Sequence, residues 1–308
     1  MSPAAWMVAD RRISLDDPLV MGILNVTPDS FSDGGELRTV DDALRRGEVM
    51  AREGAGMLDV GGESTRPGAA AVSVEEETRR VVPVVEALRR ELDLPISVDT
   101  RKARVARRAL EAGAVVVNDV SGLAFDSRMG AVVAGAGAGL VLMHMRGTPA
   151  DMRSRARYDD VVDEVSRELL QAVERARAAG VAYGAMVVDP GIGFAKNRSQ
   201  SLSLLAELRR LVALGFPVMV GTSRKSFLGE LLGCPPEERV LGSAVTCALA
   251  WERGARIFRV HDVEPTVQAL TVARAVVAAG SSGDPPGSDG VVHSGASSPS
   301  RTDQDNSR

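Results

Sequence analysis

Two patterns alternate along this chain, and that alternation limits its possible folds more than any other feature. Apolar runs of four to six residues are followed by longer stretches whose apolar residues recur with a helical period. The runs are Val20–Asn25, Met57–Val60, Pro95–Asp99, Ala114–Asp119, Gly139–Met143, Ala185–Asp189, Pro217–Gly221 and Arg256–Val260. Runs this short and this apolar are the mark of strands buried on both faces. The helical patterns lie at Val40–Glu53, Val74–Leu92, Lys102–Ala112, Ser127–Ala134, Asp160–Ala179, Ser201–Leu214, Ser226–Arg253 and Pro265–Ala279. In Asp160–Ala179, Val161, Val165, Leu169, Val173 and Ala176 share one face, as a helix packed on a sheet requires. Thr39 caps the first helix, and Ser73 with Glu76 fits a capping box for the second. Pro235-Pro236 should break the stretch Ser226–Arg253.

Eight strand–helix units predict an α/β protein: a parallel eight-stranded β/α (TIM) barrel in a single domain, residues 1–280. A doubly wound open sheet is the alternative, and eight units favour closure. Composition agrees. Apolar residues make up 44% of the 308 and aromatics only 3%, which suits a Val- and Leu-rich sheet under Ala-rich helices. Residues 1–18 have room for a short hairpin. After Gly280 only three of 28 residues are apolar, too few to offset ordering entropy, so 281–308 reads as a disordered tail that includes His293.

The net charge of −4 provides no general attraction to nucleic acid or to an anionic membrane. The longest apolar, Gly-rich run, Ala131–Met143, is too short to span a bilayer, and "MSPAAWMVADRR" lacks the apolar segment of a signal peptide. Cys234 and Cys247, the only cysteines, read as free thiols. A cytoplasmic protein is expected.

In a barrel the C-terminal ends of the strands share one face, where active sites sit. Here those ends are rich in polar groups. The first runs into "ILNVTPDSFSDGG", with Asn25, Thr27, Asp29, Ser30, Ser32 and Asp33, and the second into "GGESTRPG". The others reach Asp99-Thr100-Arg101-Lys102, Asn118-Asp119, Met143-His144, "DPGIGFAKN", "GTSRKSFLG" and Arg259-Val260-His261-Asp262. Each alone is ordinary: Asp-Pro-Gly is a common turn, and a serine before a helix is a common cap. Strand starts such as Leu94-Pro95-Ile96 are bland by comparison. Stability alone does not explain that asymmetry.

These segments, in this order, resemble the dihydropteroate synthase family. "GILNVTPDSFSDGG" and "DVGGESTRPGA" are specific; "SVDT", "VVVND", "LMHM", "DPGIGFAKN", "GTSRKSFLG" and "RVHDV" complete the set. The resemblance spans residues 18–279 and implies the same barrel. It also implies a reaction. The amine of p-aminobenzoate displaces pyrophosphate from 6-hydroxymethyl-7,8-dihydropterin pyrophosphate, giving 7,8-dihydropteroate, a step in folate synthesis. Mg²⁺ is the implied cofactor, sulfonamides the implied inhibitors, and a homodimer the implied assembly.

Carried over residue by residue, the resemblance puts Asp99, Asn118 and Asp189 on the edges of the pterin. A carboxylate can accept two adjacent N–H groups of an aminopyrimidine side by side. Lys225 would donate to the oxo group and a ring nitrogen. Met143 and Phe194 would be apolar neighbours of the pterin or the aminobenzoate, with core packing as the other reading. Arg259 and His261 follow the last strand, where this fold often binds phosphate, and suit the pyrophosphate. Asn25 offers Mg²⁺ an oxygen ligand. Phe31, Thr65, Arg66 and Pro67 match the family's aminobenzoate site, and the helix starting at Ser226 suits that substrate's carboxylate. Asp33 and Arg66 would pair as the two loops close and exclude water. Lys225, Asp99, Asp189, Asp33 and Arg66 are thus the expected catalytic set. Asp59, Glu63 and His144 are expected to be structural. The rival readings are a non-catalytic pterin-binding paralogue and the pterin-binding domain of a methyltransferase. The sequence does not distinguish early pyrophosphate loss from direct displacement.

Overall fold

A computed structural model describes residues 5–27, 39–64 and 68–281. A short antiparallel hairpin, β1 (Ala5–Val8) and β2 (Arg11–Ser14), comes first. Eight parallel strands follow: β3 (Leu19–Asn25), β4 (Met57–Gly61), β5 (Ile96–Asp99), β6 (Val116–Asp119), β7 (Gly139–Met143), β8 (Met186–Asp189), β9 (Met219–Val220) and β10 (Ile257–Val260). Neighbours pair in sequence order from β3 to β8, and β10 lies between β3 and β9. One parallel bridge, Val188 to Val218, closes the ring between β8 and β9. The structure is the expected barrel.

Helices α1 (Val40–Arg52), α2 (Val74–Glu91), α3 (Ala103–Glu111), α4 (Met129–Ala136) and α5 (Val161–Ala178) cover the outside of the first strands. They are followed by α6 (Arg198–Ala206), α7 (Leu208–Val212), α8 (Ser226–Leu232), α9 (Val240–Glu252) and α10 (Val263–Ser281). The stretch expected as one helix at 201–214 is two, with a break at Glu207 that lets Leu208 and Leu211 bury beside Leu204. The run 217–221 shortens to two paired residues. Pro217 has no N–H to give a ladder, and its carbonyl accepts from Val188 N–H. Ser73 caps α2, accepting from Glu76 N–H, but the second half of the expected box does not form. Arg79 and Arg80 take the Glu76 carboxylate instead. Thr39 and Asp42 make the full box at α1.

Alternation along the strands divides the core in two. Residues facing outward, such as Leu58, Val60, Val98, Val117, Leu140, Leu142, Val188 and Phe258, pack beneath the helices. Those facing inward at the lower end, among them Met21, Met57, Val116, Val141, Val187, Met219 and Ile257, pack against Trp6, Val8 and Leu15. The hairpin therefore plugs the barrel floor, with Trp6 Nε1 donating to the Ala185 carbonyl at 2.8 Å. Two residues further along each strand the same inward face reaches the upper mouth. The tail assigned to 281–308 lies outside the described residues after Ser281.

Candidate active site

That two-residue step explains how an apolar barrel acquires a polar mouth. Above Met57 comes Asp59, above Ser97 comes Asp99, and above Val116 comes Asn118. Above Val141 comes Met143, above Val187 comes Asp189, and above Ile257 comes Arg259. Asp59, Asp99, Asn118, Met143 and Asp189 are all buried.

Arg259 ties this layer together. Its Nε donates to Asp59 Oδ2 at 2.6 Å and its terminal nitrogen to Asp99 Oδ2 at 2.7 Å. Asn118 Nδ2 donates to the same Asp59 oxygen at 2.9 Å. A carboxylate accepts only, so this contact sets the Asn118 amide: its Oδ1 must be the atom left over. Asn118 Oδ1 and Asp59 Oδ1 are buried and meet no hydrogen-bond partner among the described residues. Buried acceptors of this kind are costly unless something donates to them. Asp59, expected to be structural, orients both Asn118 and Arg259. The clue to it was its place two residues before Gly61, on the inward face.

Burial pushes the carboxyl groups of Asp99 and Asp189 above their usual range. For Asp99 the neighbouring Arg259 acts against this, and Asp59 adds to it. Asp189 accepts from Gly191 N–H at 2.7 Å and faces Lys225. Burial lowers the Lys225 ammonium to about 8, with Asp189 opposing. Lys225 Nζ donates to the Ile192 carbonyl and lies 4.4 Å from the centre of the Phe194 ring. Its backbone is held from behind: Arg239 donates to the carbonyls of Arg224 and Lys225, and Ser243 accepts from Arg224 N–H. Across from it is Gly221, where an added Cβ would meet nothing closer than 3.9 Å.

Two more expected groups sit at the rim. His261 Nδ1 is 3.0 Å from Ser223 Oγ, and its carbonyl accepts from Arg46. Asn25 ends β3, with its Oδ1 3.5 Å from where a Cβ on Gly61 would lie. Ser226 is exposed at the first turn of α8, and Lys225 at the cap makes no side-chain cap bond. Glu63 accepts from Val72 N–H at 3.0 Å and pairs with Arg101 and Lys102, holding the far end of the second loop. Phe31, Asp33, Thr65, Arg66 and Pro67 lie outside the described residues. The described residues thus bring together Asp99, Asn118, Met143, Asp189, Phe194, Lys225 and Arg259, with Asn25 and His261 at the edge.

The family model of the pterin binding enzymes matches residues 21–261. A dihydropteroate synthase of Synechocystis is 50% identical over 258 residues, which is 83% of this chain and 89% of that protein. The chain belongs to the dihydropteroate synthases. The solved dihydropteroate synthase of Yersinia pestis, in a sulfonamide drug complex, superposes with a TM-score of 0.86 at 44% identity, over 89% of this chain and 99% of that one. The enzyme of Xanthomonas albilineans, solved with 4-aminobenzoic acid, gives 0.83 at 50% identity, over 89% and 98%. Membership in the dihydropteroate synthases agrees with an inward layer that pairs carboxylates with an amide and a lysine in one mouth.

Proposed function

We propose that this dihydropteroate synthase joins p-aminobenzoate to 6-hydroxymethyl-7,8-dihydropterin pyrophosphate through the layer Asp99, Asn118, Asp189, Lys225 and Arg259. The observation that carries this reading is the orphaned, orientated Asn118 Oδ1 among buried carboxylates. An aminopyrimidine edge offers N–H donors to such acceptors. Lys225, already aimed at a carbonyl oxygen, donates to the pterin oxo group on the opposite edge. Phe194 and Met143 give the ring an apolar seat.

In the reaction the amine nitrogen bonds to the methylene carbon, the carbon–oxygen bond to pyrophosphate breaks, and the amine loses a proton. Arg259 and His261 would face the departing pyrophosphate. Arg259 is already engaged by Asp59 and Asp99. A pyrophosphate added there needs further positive charge. Among the described residues no group of three acidic, histidine or cysteine side chains could hold a metal by itself. Mg²⁺ takes oxygen ligands and keeps several waters, so the side-chain oxygen of Asn25 at the end of β3 would hold it. Bound there, Mg²⁺ would stabilise the leaving group's charge. Ser226, with Phe31, Thr65, Arg66 and Pro67, would receive the aminobenzoate, and Asp33 with Arg66 would pair over the reacting groups.

A homodimer is part of the same proposal. Leu241, Val245 and Leu249 form an exposed row on α9, beside exposed Val272 and Val276 on the adjoining α10. A face of that kind suits a second copy. Both cysteines are free, which supports a reducing, cytoplasmic setting. Among the described residues no helix is long and apolar enough to cross a membrane.

The test is pyrophosphate release from the pterin substrate. Release should require both p-aminobenzoate and Mg²⁺ and stop on chelation. Lys225→Ala should lower kcat/KM by about 100-fold or more, roughly the loss of one charged hydrogen bond and its ring contact. Pterin binding without any release would sink the enzymatic reading.

A further inference from the structure

Lys196 is a buried lysine that the reaction as described does not use. It is 8% exposed and lies at the end of the turn that follows β8. Its Nζ is 2.9 Å from the Phe194 carbonyl, 2.9 Å from His144 Nδ1 and 3.4 Å from the His144 carbonyl. All three are neutral acceptors. Burial holds this amine well below the usual lysine range although the carboxylates of Asp189 and Glu168 act to keep its proton, a cost that an apolar side chain of the same length would avoid.

The surroundings show what the amine holds. The Glu168 carboxylate facing His144 Nε2 can only accept, so that nitrogen carries the proton and Nδ1 accepts from Lys196. That Nε2–H donates to Glu168 Oε2 on α5 at 2.9 Å, and Arg146 also donates to Glu168. Burial lowers the imidazole to about 4, in keeping with a neutral acceptor beside Lys196. The amine is therefore anchored through a polar chain that ends on a helix outside the barrel.

The turn itself is under constraint. Gly191 has φ +65°, and a Cβ there would lie 2.0 Å from the His144 carbonyl oxygen, so the turn lies hard against the end of β7. Ala195 has φ +48°, in the left-handed region that an alanine rarely enters. This one residue separates Phe194, which turns to Lys225, from Lys196, which turns away. Two amines grip the turn from opposite sides: Lys225 at the Ile192 carbonyl and Lys196 at the Phe194 carbonyl.

We propose that Lys196 is a positioning residue for the pterin site: it clamps the turn 190–196 onto the end of β7 and so sets the Phe194 ring against Lys225. The inference rests on the reading of Phe194 and Lys225 as parts of that site. Lys196 acts through Phe194 and touches no reacting atom. Removing its amine frees the Phe194 carbonyl, lets Ala195 relax out of the left-handed region, and shifts the ring.

A double-mutant cycle on the full chain tests this. Lys196→Met should raise the KM for the pterin pyrophosphate about tenfold, with kcat changed less than about threefold, because a misplaced wall weakens binding more than chemistry. The dissociation constant for the pterin, measured by calorimetry, should rise in parallel. In a Phe194→Ala background, Lys196→Met should add less than about twofold, since a residue that works through the ring has no ring left to set. Lys196→Gln, which keeps a donor, should fall between wild type and Lys196→Met; it carries the cycle if the methionine variant does not fold. Additive effects in the two backgrounds, or a wild-type KM in Lys196→Met, would overturn the inference. A wild type that binds pterin but releases no pyrophosphate would instead defeat the proposed reaction, and the calorimetric cycle would still decide the role of Lys196.

Discussion

His144 sits at the end of β7 with its ring between the amine of Lys196 and the carboxylate of Glu168. Its proton binding is weakened by burial first and by Lys196 second, from 6.5 to about 4. Between those two values the unfolded chain holds the proton and the folded chain does not. The stability this group contributes is therefore present above 6.5 and is lost as pH falls towards 4. The full effect is on the order of 3 kcal/mol. Glu168, lowered from 4.5 to about 2 mainly by its hydrogen bond from His144, loses its own contribution in the more acidic range below 4.5. Urea unfolding between pH 6.5 and 4.5 avoids the titration of Glu168, but buried carboxyls such as Asp99, raised to about 7, contribute there with the opposite sign, so the histidine is isolated by comparison with a variant that keeps them. Stability of wild type relative to His144→Gln should rise with pH across that window, and parallel profiles would show that His144 contributes no pH dependence. At this scale the sequence made single chemical types legible, such as a lysine after β9 or an asparagine near the end of β6. It gave no hint that Lys196 and His144 meet, because their contact depends on how two separate loops turn.

Elements are held to one another by a second buried set of charges, away from the reacting groups. Lys102, at the start of α3, pairs with Glu77 on α2 at 2.5 Å and with Glu63 after β4 at 3.2 Å. Glu77 is fully buried, and burial raises its carboxyl group above the usual range despite Lys102. Removing the cation leaves that carboxylate uncompensated. Lys102→Met should destabilise the fold by about 3–5 kcal/mol in urea unfolding, because breaking one partner of a buried pair costs far more than the pair contributes. A loss below about 1 kcal/mol would show that solvent reaches Glu77. Element positions were legible from period and caps, since helical and strand alternation are local properties. The boundaries that moved did so for non-local reasons: Glu207 breaks a helix so that Leu208 and Leu211 reach the core, and Pro217 shortens β9 where the ring closes.

For the whole molecule, assembly turns on α9 and α10. Leu241 is 76% exposed, Val272 65% and Val276 67%, an apolar face that the barrel itself leaves uncovered. Sedimentation of the wild type should give about twice the 32.4 kDa chain mass, and Leu241→Asp with Val245→Asp should give the single chain. A wild type that sediments as one chain would remove the homodimer. The floor of the barrel makes the same point from the inside. A hairpin was expected from residues 1–18, but its role as a plug, with Trp6 against Val141 and Val187, depends on a ring formed by residues up to Ile257.

The amino-acid sequence by itself determined the eight alternating units, the barrel they close into and the residue types that crowd one end of it. Those are consequences of hydrophobic period, and period is written locally. Only the tertiary structure decided that Arg259 spans Asp59 and Asp99, that Asp59 turns the Asn118 amide, and that Lys196 grips the turn bearing Phe194. Apart from the bond from Lys196 to Phe194, two residues away, these are contacts between residues distant in the chain, made by hydrogen bonds of about 3 Å. Such contacts exist only once the strands have taken their order and register around the ring.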